Sequence, residues 1–300
     1  MSWFAIVLIS QAANAAALFL DKFILSKRVA RPLVLTFWTV VAGLLGVIFI
    51  FGNFIWWPGS GVVLVALMAG AIFTAALYLL YLGMERGEAS HISPLAGAIV
   101  PLASIIFSYY LLNEVLSGRQ FLAVLFLAVG ALLVSIESSD RYHGWHLGML
   151  YAVLAGFLFA LSYVLSRVLY LQTTFATAFV WRIFGSVVIV LPLLLFSKLR
   201  REIFSFNRQA SKVSGKNLLI LAVNKGLAAV YFIGMNIAIA LTSATIVNAL
   251  SGLQYVLLFV LIYLISRFAP RIFREKFTKL ELARQVVAMV LIGVGLYLII

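Results

Sequence analysis

Long apolar runs separated by short polar breaks fill this chain from end to end, and each run has the length a bilayer demands. A helix needs about 20 apolar residues to cross the hydrocarbon region. Runs of that order lie near 3–25, 33–51, 61–82, 90–112, 119–136, 147–170, 175–197, 217–240, 243–266 and 281–300. They are continuous, without the two-residue alternation of a lipid-facing strand, and backbone groups in lipid must be satisfied inside a helix or a closed barrel. The pattern predicts an all-α integral membrane protein of ten transmembrane helices.

Composition closes off the soluble alternative. The 300 residues are 65% hydrophobic and 10% charged, where a soluble domain carries about 45–50% and about 25%. Cysteine is absent, which removes disulfides and thiolate chemistry. The first run opens Met-Ser-Trp without a basic leader and is too long for a signal-peptide core, so a retained helix is expected. The net charge of +13 sits in short loops, where it reports topology rather than a nucleic-acid partner.

Basic residues mark the cytoplasmic side. The loops joining runs 1–2, 3–4, 5–6, 7–8 and 9–10 hold 18 Lys and Arg, and the opposite side holds Arg119 and Arg167 alone. Basic loops 1–2, 7–8 and 9–10 are therefore expected in the cytoplasm of a bacterial or archaeal plasma membrane, with both termini outside. The 2–3 and 4–5 loops carry only Arg119, while their counterparts five helices later, 7–8 and 9–10, carry twelve basic residues. A tandem copy of an odd number of helices enters from the other face, so residues 1–137 and 144–300 are expected to be inverted five-helix repeats. Short matches recur in the same order. Pro94-Leu95-Ala96-Gly97 is echoed by Ala249-Leu250-Ser251-Gly252, Asn113-Glu114 by Arg274-Glu275, and Val129-Gly130 by Val294-Gly295.

Gly87-Glu88-Ala89-Ser90, Pro94, Pro101, Leu112-Asn113-Glu114, Gln120 and Val129-Gly130-Ala131 together resemble the EamA branch of the drug/metabolite transporter superfamily, with a degraded echo in the second half. The resemblance implies ten helices around a central cavity, with the third, fourth, eighth and ninth lining it and the fifth and tenth peripheral. The ninth run lacks prolines matching Pro94 and Pro101. Several relatives have cytoplasmic termini, and here the charge count is preferred.

Polar residues in a membrane are costly and mark water or substrate paths. Gln11, Asn14 and Asp21 share a face of the first helix; Thr74, Tyr78 and Tyr81 of the third; Thr245, Asn248, Gly252 and Tyr255 of the ninth. Asn224, Lys225, Ala228, Tyr231, Phe232 and Asn236 form a stripe on the eighth. The plain alternative is that these groups bond neighbouring helices. Lys225 and Arg182, the latter beside Trp181, are the cations deep in apolar runs; snorkelling is their plain alternative. Arg167 lies nearer an outer end, where snorkelling accounts for it.

No carboxylate lies at comparable depth, and Asn14 stands where a proton-coupled cation exporter would carry an acid. The expected site is thus a small-molecule site of Lys225, Asn224, Arg182, Trp181, Asn14, Tyr78, Tyr231, Asn248 and Tyr255, suited to a carboxylate, phosphate or zwitterion. The expected function is secondary transport, with export the expected direction, of an amino acid or organic acid by alternating access. Pro94 and Pro101 are the expected hinge. A lipid or lipid-carrier flippase has the same architecture. A membrane enzyme or scaffold is disfavoured, because His91, His143 and His146 sit apart from any grouped carboxylates and aspartates are scarce. No cofactor or metal is expected. Gly293 and Gly295 offer a homodimer contact, and Gly148, Ala152, Gly156 and Ala160 a surface for packing the halves.

Overall fold

Lipid leaves the backbone no partner but itself, and the chain answers with helices throughout. The computed structural model describes residues 2–25, 32–44, 56–86, 89–135, 146–211, 215–268 and 279–299, and no strand occurs among them. The helices are α1 (Trp3–Leu25), α2 (Pro32–Gly43), α3 (Ser60–Arg86), α4 (Ala89–Leu112), α5 (Gly118–Ser135), α6 (Leu147–Gln172) and α7 (Phe175–Val190). They continue as α8 (Ser197–Ser211), α9 (Gly215–Leu241), α10 (Ala244–Ala249), α11 (Gly252–Phe268) and α12 (Lys279–Ile299). A 3₁₀ turn, Leu191–Leu195, prolongs α7.

Eight helical segments of the described residues are long and apolar enough to cross a membrane: one each in α1, α3, α4, α6, α9 and α12, one in α7 with its 3₁₀ turn, and one running through α10 and α11. Pro32–Gly43 and Gly118–Val134 are apolar but shorter. The second expected run continues to residue 51, outside the described residues. Asp21, His91, His143 and the Arg274-Glu275 echo likewise fall where no side chain is described.

The stretch expected to be a loop between the seventh and eighth runs contains α8. Its Ile203 is wholly buried against Val34, Phe37 and Val190, whereas Lys198, Arg200 and Arg201 are exposed. An apolar edge with basic residues opposite it is the pattern of a helix lying in the membrane interface. Trp38 Nε1 donates to the Ile203 carbonyl at 3.4 Å, tying α8 beneath α2.

Packing follows the small residues. α6 lies along α3 and α4, α1 along α9 and α11, α5 along α12, α7 along α3, and α10 against α4. The ladder Gly148, Ala152, Gly156, Ala160 faces these neighbours: a Cβ on Gly156 would lie 2.8 Å from the Ala96 carbonyl, and one on Gly148 3.0 Å from that of Gly83. At the α5–α12 seam the contact is reciprocal. A Cβ on Gly130 would lie 2.6 Å from Ile292, and one on Gly295 2.6 Å from Leu127.

Turn contacts sort the connections into two ends. Trp56 bonds Thr173, Glu114 bonds Ser243, and Arg119 bonds the Tyr297 carbonyl, which gathers the turns before α3, after α4, after α6 and after α9 with the end of α12. At the other end Arg86 stacks on Tyr151, 5.2 Å from its ring centre.

The helix expected to kink does not break. α4 is continuous through buried Pro94 and Pro101. The interruption falls in the ninth run, at Leu250 and Ser251, where Ser251, Leu253 and Gln254 all donate to carbonyls three residues back. That is a local 3₁₀ tightening, at the positions that echo Leu95 and Ala96.

Gly70 of α3 meets the backbone of α7 so closely that a Cβ would collide with the Arg182 carbonyl and lie 2.6 Å from Ser186 N. Gly70→Ala is therefore expected to lower the thermal midpoint in detergent, with a cost of about 1–3 kcal/mol. Gly226→Ala, where nothing lies within 4 Å, serves as the neutral control; equal midpoints for the two variants would refute the seam.

Candidate functional site

The α3–α7 contact fixes a buried cation. Thr174 caps α7, its hydroxyl accepting from Thr177 N at 3.4 Å, and two turns further on Arg182 turns inward with 1% exposure. Arg182 Nη2 donates to Ser162 Oγ of α6 at 3.3 Å. Ser162 spends its own proton on the Ala69 carbonyl at 2.8 Å, so it offers the arginine a lone pair.

The guanidinium carbon lies 4.8 Å from the Phe73 ring centre and 5.1 Å from that of Phe232, and those rings are themselves 5.4 Å apart. Three nearly equal distances form a triangle, so both rings cover one side of the guanidinium and leave its other side uncovered by them. The aromatic wall continues through Phe159, 5.4 Å from Phe73, and Phe179, 5.6 Å from Phe232. Tyr163 of α6 stacks on Phe159 and bonds Tyr231 of α9.

Among the described residues Arg182 Nε and Nη1 have no hydrogen-bond partner, and no carboxylate pairs with this residue. Burying an unpaired charge costs several kcal/mol. A desolvated cation–π contact returns about 2 kcal/mol and a hydrogen bond from a charged group about 1.5–3 kcal/mol. The groups left over, Nε and Nη1, are donors only, so whatever completes them must be an acceptor.

Lys225 is half-buried seven residues before Phe232, two turns away on the same face of α9. Tyr231 reaches the aromatic wall. Most other expected site residues join helices. Asn224 Nδ2 donates to the Ala17 carbonyl of α1 at 3.0 Å, and Asn14 donates to Gln254 of α11. Asn248 donates to Ser104 of α4 at 3.0 Å. The Tyr255 hydroxyl donates to the Ser93 carbonyl at 2.9 Å, with its ring against Gly97. Trp181 points to the turn before α3, against Trp57 at 5.4 Å between ring centres and within 3.5 Å of the Trp56 carbonyl. Tyr78 is half-buried on α3.

Arg167 is tied to the end of α9: its Nη1 donates to the carbonyls of Ile239 and Ala240 at 3.1 and 2.7 Å. Phe73, Phe159, Phe179, Ser162, Ser104, Ser108 and Gln254 were not singled out from the sequence. For the phenylalanines no signal exists, since the chain has 24. Ser104 and Ser108 do repeat at four-residue spacing, which marks one helical face. Among the described residues no group of three or more His, Asp or Glu offers a metal site.

Eight described helical segments long and apolar enough to cross a membrane, packed through glycine seams, define a multi-pass integral membrane protein. Residues 1–136, a little under half of the chain, match the family model of the EamA-like transporter family. One solved crystal structure, described only as that of a protein, aligns with 99% of this chain and 96% of its own at 17% identity and a TM-score of 0.65, a likeness of fold. No curated protein matches the chain.

If Asn248 serves the α10–α4 joint, Asn248→Ala and Ser104→Ala should be non-additive in thermal stability, with a coupling of about 0.6 kcal/mol and at most about 1.7 kcal/mol. Strict additivity in the double variant would free Asn248 for another role.

Proposed function

We propose that the protein is a secondary transporter of a small anionic or zwitterionic metabolite, an amino acid or organic acid, working by alternating access with export as its direction. The observation that carries this is Arg182: a guanidinium buried without a carboxylate, with Nε and Nη1 unmet. Lys225, on the Phe232 face of α9, is the second cationic station along the same path. Tyr231 and Tyr78 supply polar edges near it, while Asn14, Asn224, Asn248, Tyr255 and Trp181 set the helix positions.

The architecture proposed is ten crossings in two inverted halves, residues 1–137 and 144–300. Support comes from exchanged contacts. Gly130 meets Ile292 as Gly295 meets Leu127, so that residues 127 and 130 and their counterparts 165 positions later face one another across a local twofold. α6 lies on α3 and α4 as α1 lies on α9 and α11. The basic loops, α8 among them, are assigned to the cytoplasm and the termini to the outside. Single cysteines at Ser211 and Ser60 are expected to label from the cytoplasm and from outside respectively in this thiol-free chain; the reverse pattern overturns the orientation.

A lipid-carrier flippase is the second reading. What favours it is a mostly apolar groove of about 650 Å³ where α4 meets α5, lined by Ile105, Ile106, Tyr109, Tyr110 and Phe121 with Glu114 as its one charged residue.

Thermal shift in detergent against amino acids, organic acids and phosphorylated metabolites identifies the ligand class. Counterflow in proteoliposomes then tests the residues. Arg182→Gln is expected to lower uptake of the bound anion by a factor of ten or more, roughly the worth of one charge-assisted hydrogen bond. Arg182→Lys recovers charge without the fork and restores it only in part. Transport that survives both Arg182→Gln and Lys225→Gln unchanged would sink the electrostatic proposal.

A further inference from the structure

α4 ends on Asn113, whose φ of 52° is left-handed, a conformation asparagine tolerates better than a branched residue. Asn113 N donates to the Tyr109 carbonyl at 3.1 Å and Glu114 N to that of Ser108 at 3.2 Å. This reversal brings Glu114 to the turn between α9 and α10. Its Oε2 accepts from Ser243 Oγ at 2.8 Å, and its Oε1 lies 3.9 Å from Arg167 Nε. Ser243 caps α10, accepting from Thr245 N at 3.2 Å, while Arg167 caps the last carbonyls of α9. One carboxylate and one guanidinium therefore grip the same turn from both sides, and Glu114 comes from residues 1–137 while Arg167 and Ser243 come from 144–300.

Two features make this clamp a moving part rather than a fixed weld. The side chains of Arg167 and Glu114 are 15% and 26% exposed, and although Arg167 Nε itself is buried, the Glu114 carboxylate is open enough for water to take up its bonds as it leaves, which softens the penalty of a sealed ion pair. Behind the clamp, the side-chain hydrogen bonds from α10 to α4 are neutral, Thr245 to Ser108 at 3.1 Å and Asn248 to Ser104 at 3.0 Å, Val247 and Ala249 share a core with Val100 and Ala103 of α4, and α10 is separated from α11 by the 3₁₀ interruption at Leu250 and Ser251. A short helix with a loosened joint at one end and a polar latch at the other can swing as a unit.

We infer that Glu114, Arg167 and Ser243 form the gate at this end of the transporter, and that releasing them lets α10 part from α4. The inference rests on the alternating-access reading. Glu114 and Arg167 act as positioning residues: they set which end is open and touch no substrate.

Single cysteines in the thiol-free chain read the gate directly. A membrane-impermeant maleimide is applied to the face from which Ser60→Cys labels, with Ser108→Cys behind the clamp and Ser93→Cys near the opposite end of α4, the latter labelled from the opposite face. Glu114→Gln, and separately Arg167→Gln, are expected to accelerate labelling at Ser108→Cys about tenfold, the scale of one charge-assisted hydrogen bond, with no acceleration at Ser93→Cys. Unchanged labelling at Ser108→Cys in both backgrounds overturns the gate. Acceleration at both ends also overturns it, because that is general loosening of the fold. Labelling needs no substrate, so its failure leaves the Arg182 reading standing, and loss of ligand binding in Arg182→Gln leaves the gate standing.

Discussion

The contact between Gly70 of α3 and the backbone of α7 at Arg182 and Ser186 determines what surrounds the buried cation. With a Cβ at position 70 the two helices stand further apart, and Ser162, itself anchored to the Ala69 carbonyl one residue earlier, no longer faces Nη2. The contact is matched from the other side, where Gly185 lies against Leu67. Lipid offers no hydrophobic drive for helices to associate, so close approach and interhelical bonds must supply it. Here one glycine seam both joins two helices and aims the site.

Much of the architecture was legible because it is written in run length, which depends on the bilayer thickness alone. α1, α3, α4, α6, α9 and α12 fall within a few residues of their apolar runs. Amphipathic α8 was hidden by its charges, since Lys198, Arg200 and Arg201 read as loop topology while Ile203 packs against α2. The ninth run hid its interruption for the opposite reason. No glycine or proline stands at Leu250 or Ser251 themselves, and the tightening there appears only in backbone bonds. Pro94 and Pro101 lie inside an α4 that stays continuous.

The buried polar groups were legible as positions and less so in their partners. Charge depth picked out Arg182, because a cation in an apolar run is expensive wherever it points. Amide position could not separate a cavity face from a packing face, since both look inward with the same helical period. Asn224, Asn248 and Asn14 all proved to face another helix, and their bonds to Ala17, Ser104 and Gln254 depend on partners more than 140 positions away in sequence. Phe73 and Phe232 illustrate the converse, since nothing local distinguishes a ring beside a guanidinium from a ring beside lipid.

Interhelical bonds then sharpen the chemistry of Arg182 by elimination. Asn248 spends a donor on Ser104, Tyr255 on Ser93, Tyr170 on Asn236 at 2.8 Å, and Arg167 is engaged by two carbonyls and Glu114. Each such group gains most by staying where it is, because in a water-poor interior a donor that leaves its acceptor bears the full desolvation penalty. Arg182 differs in having two donors with nothing to lose. An acceptor reaching Nε or Nη1 would therefore displace no protein hydrogen bond there, and its charge-assisted interaction would not be offset by one lost.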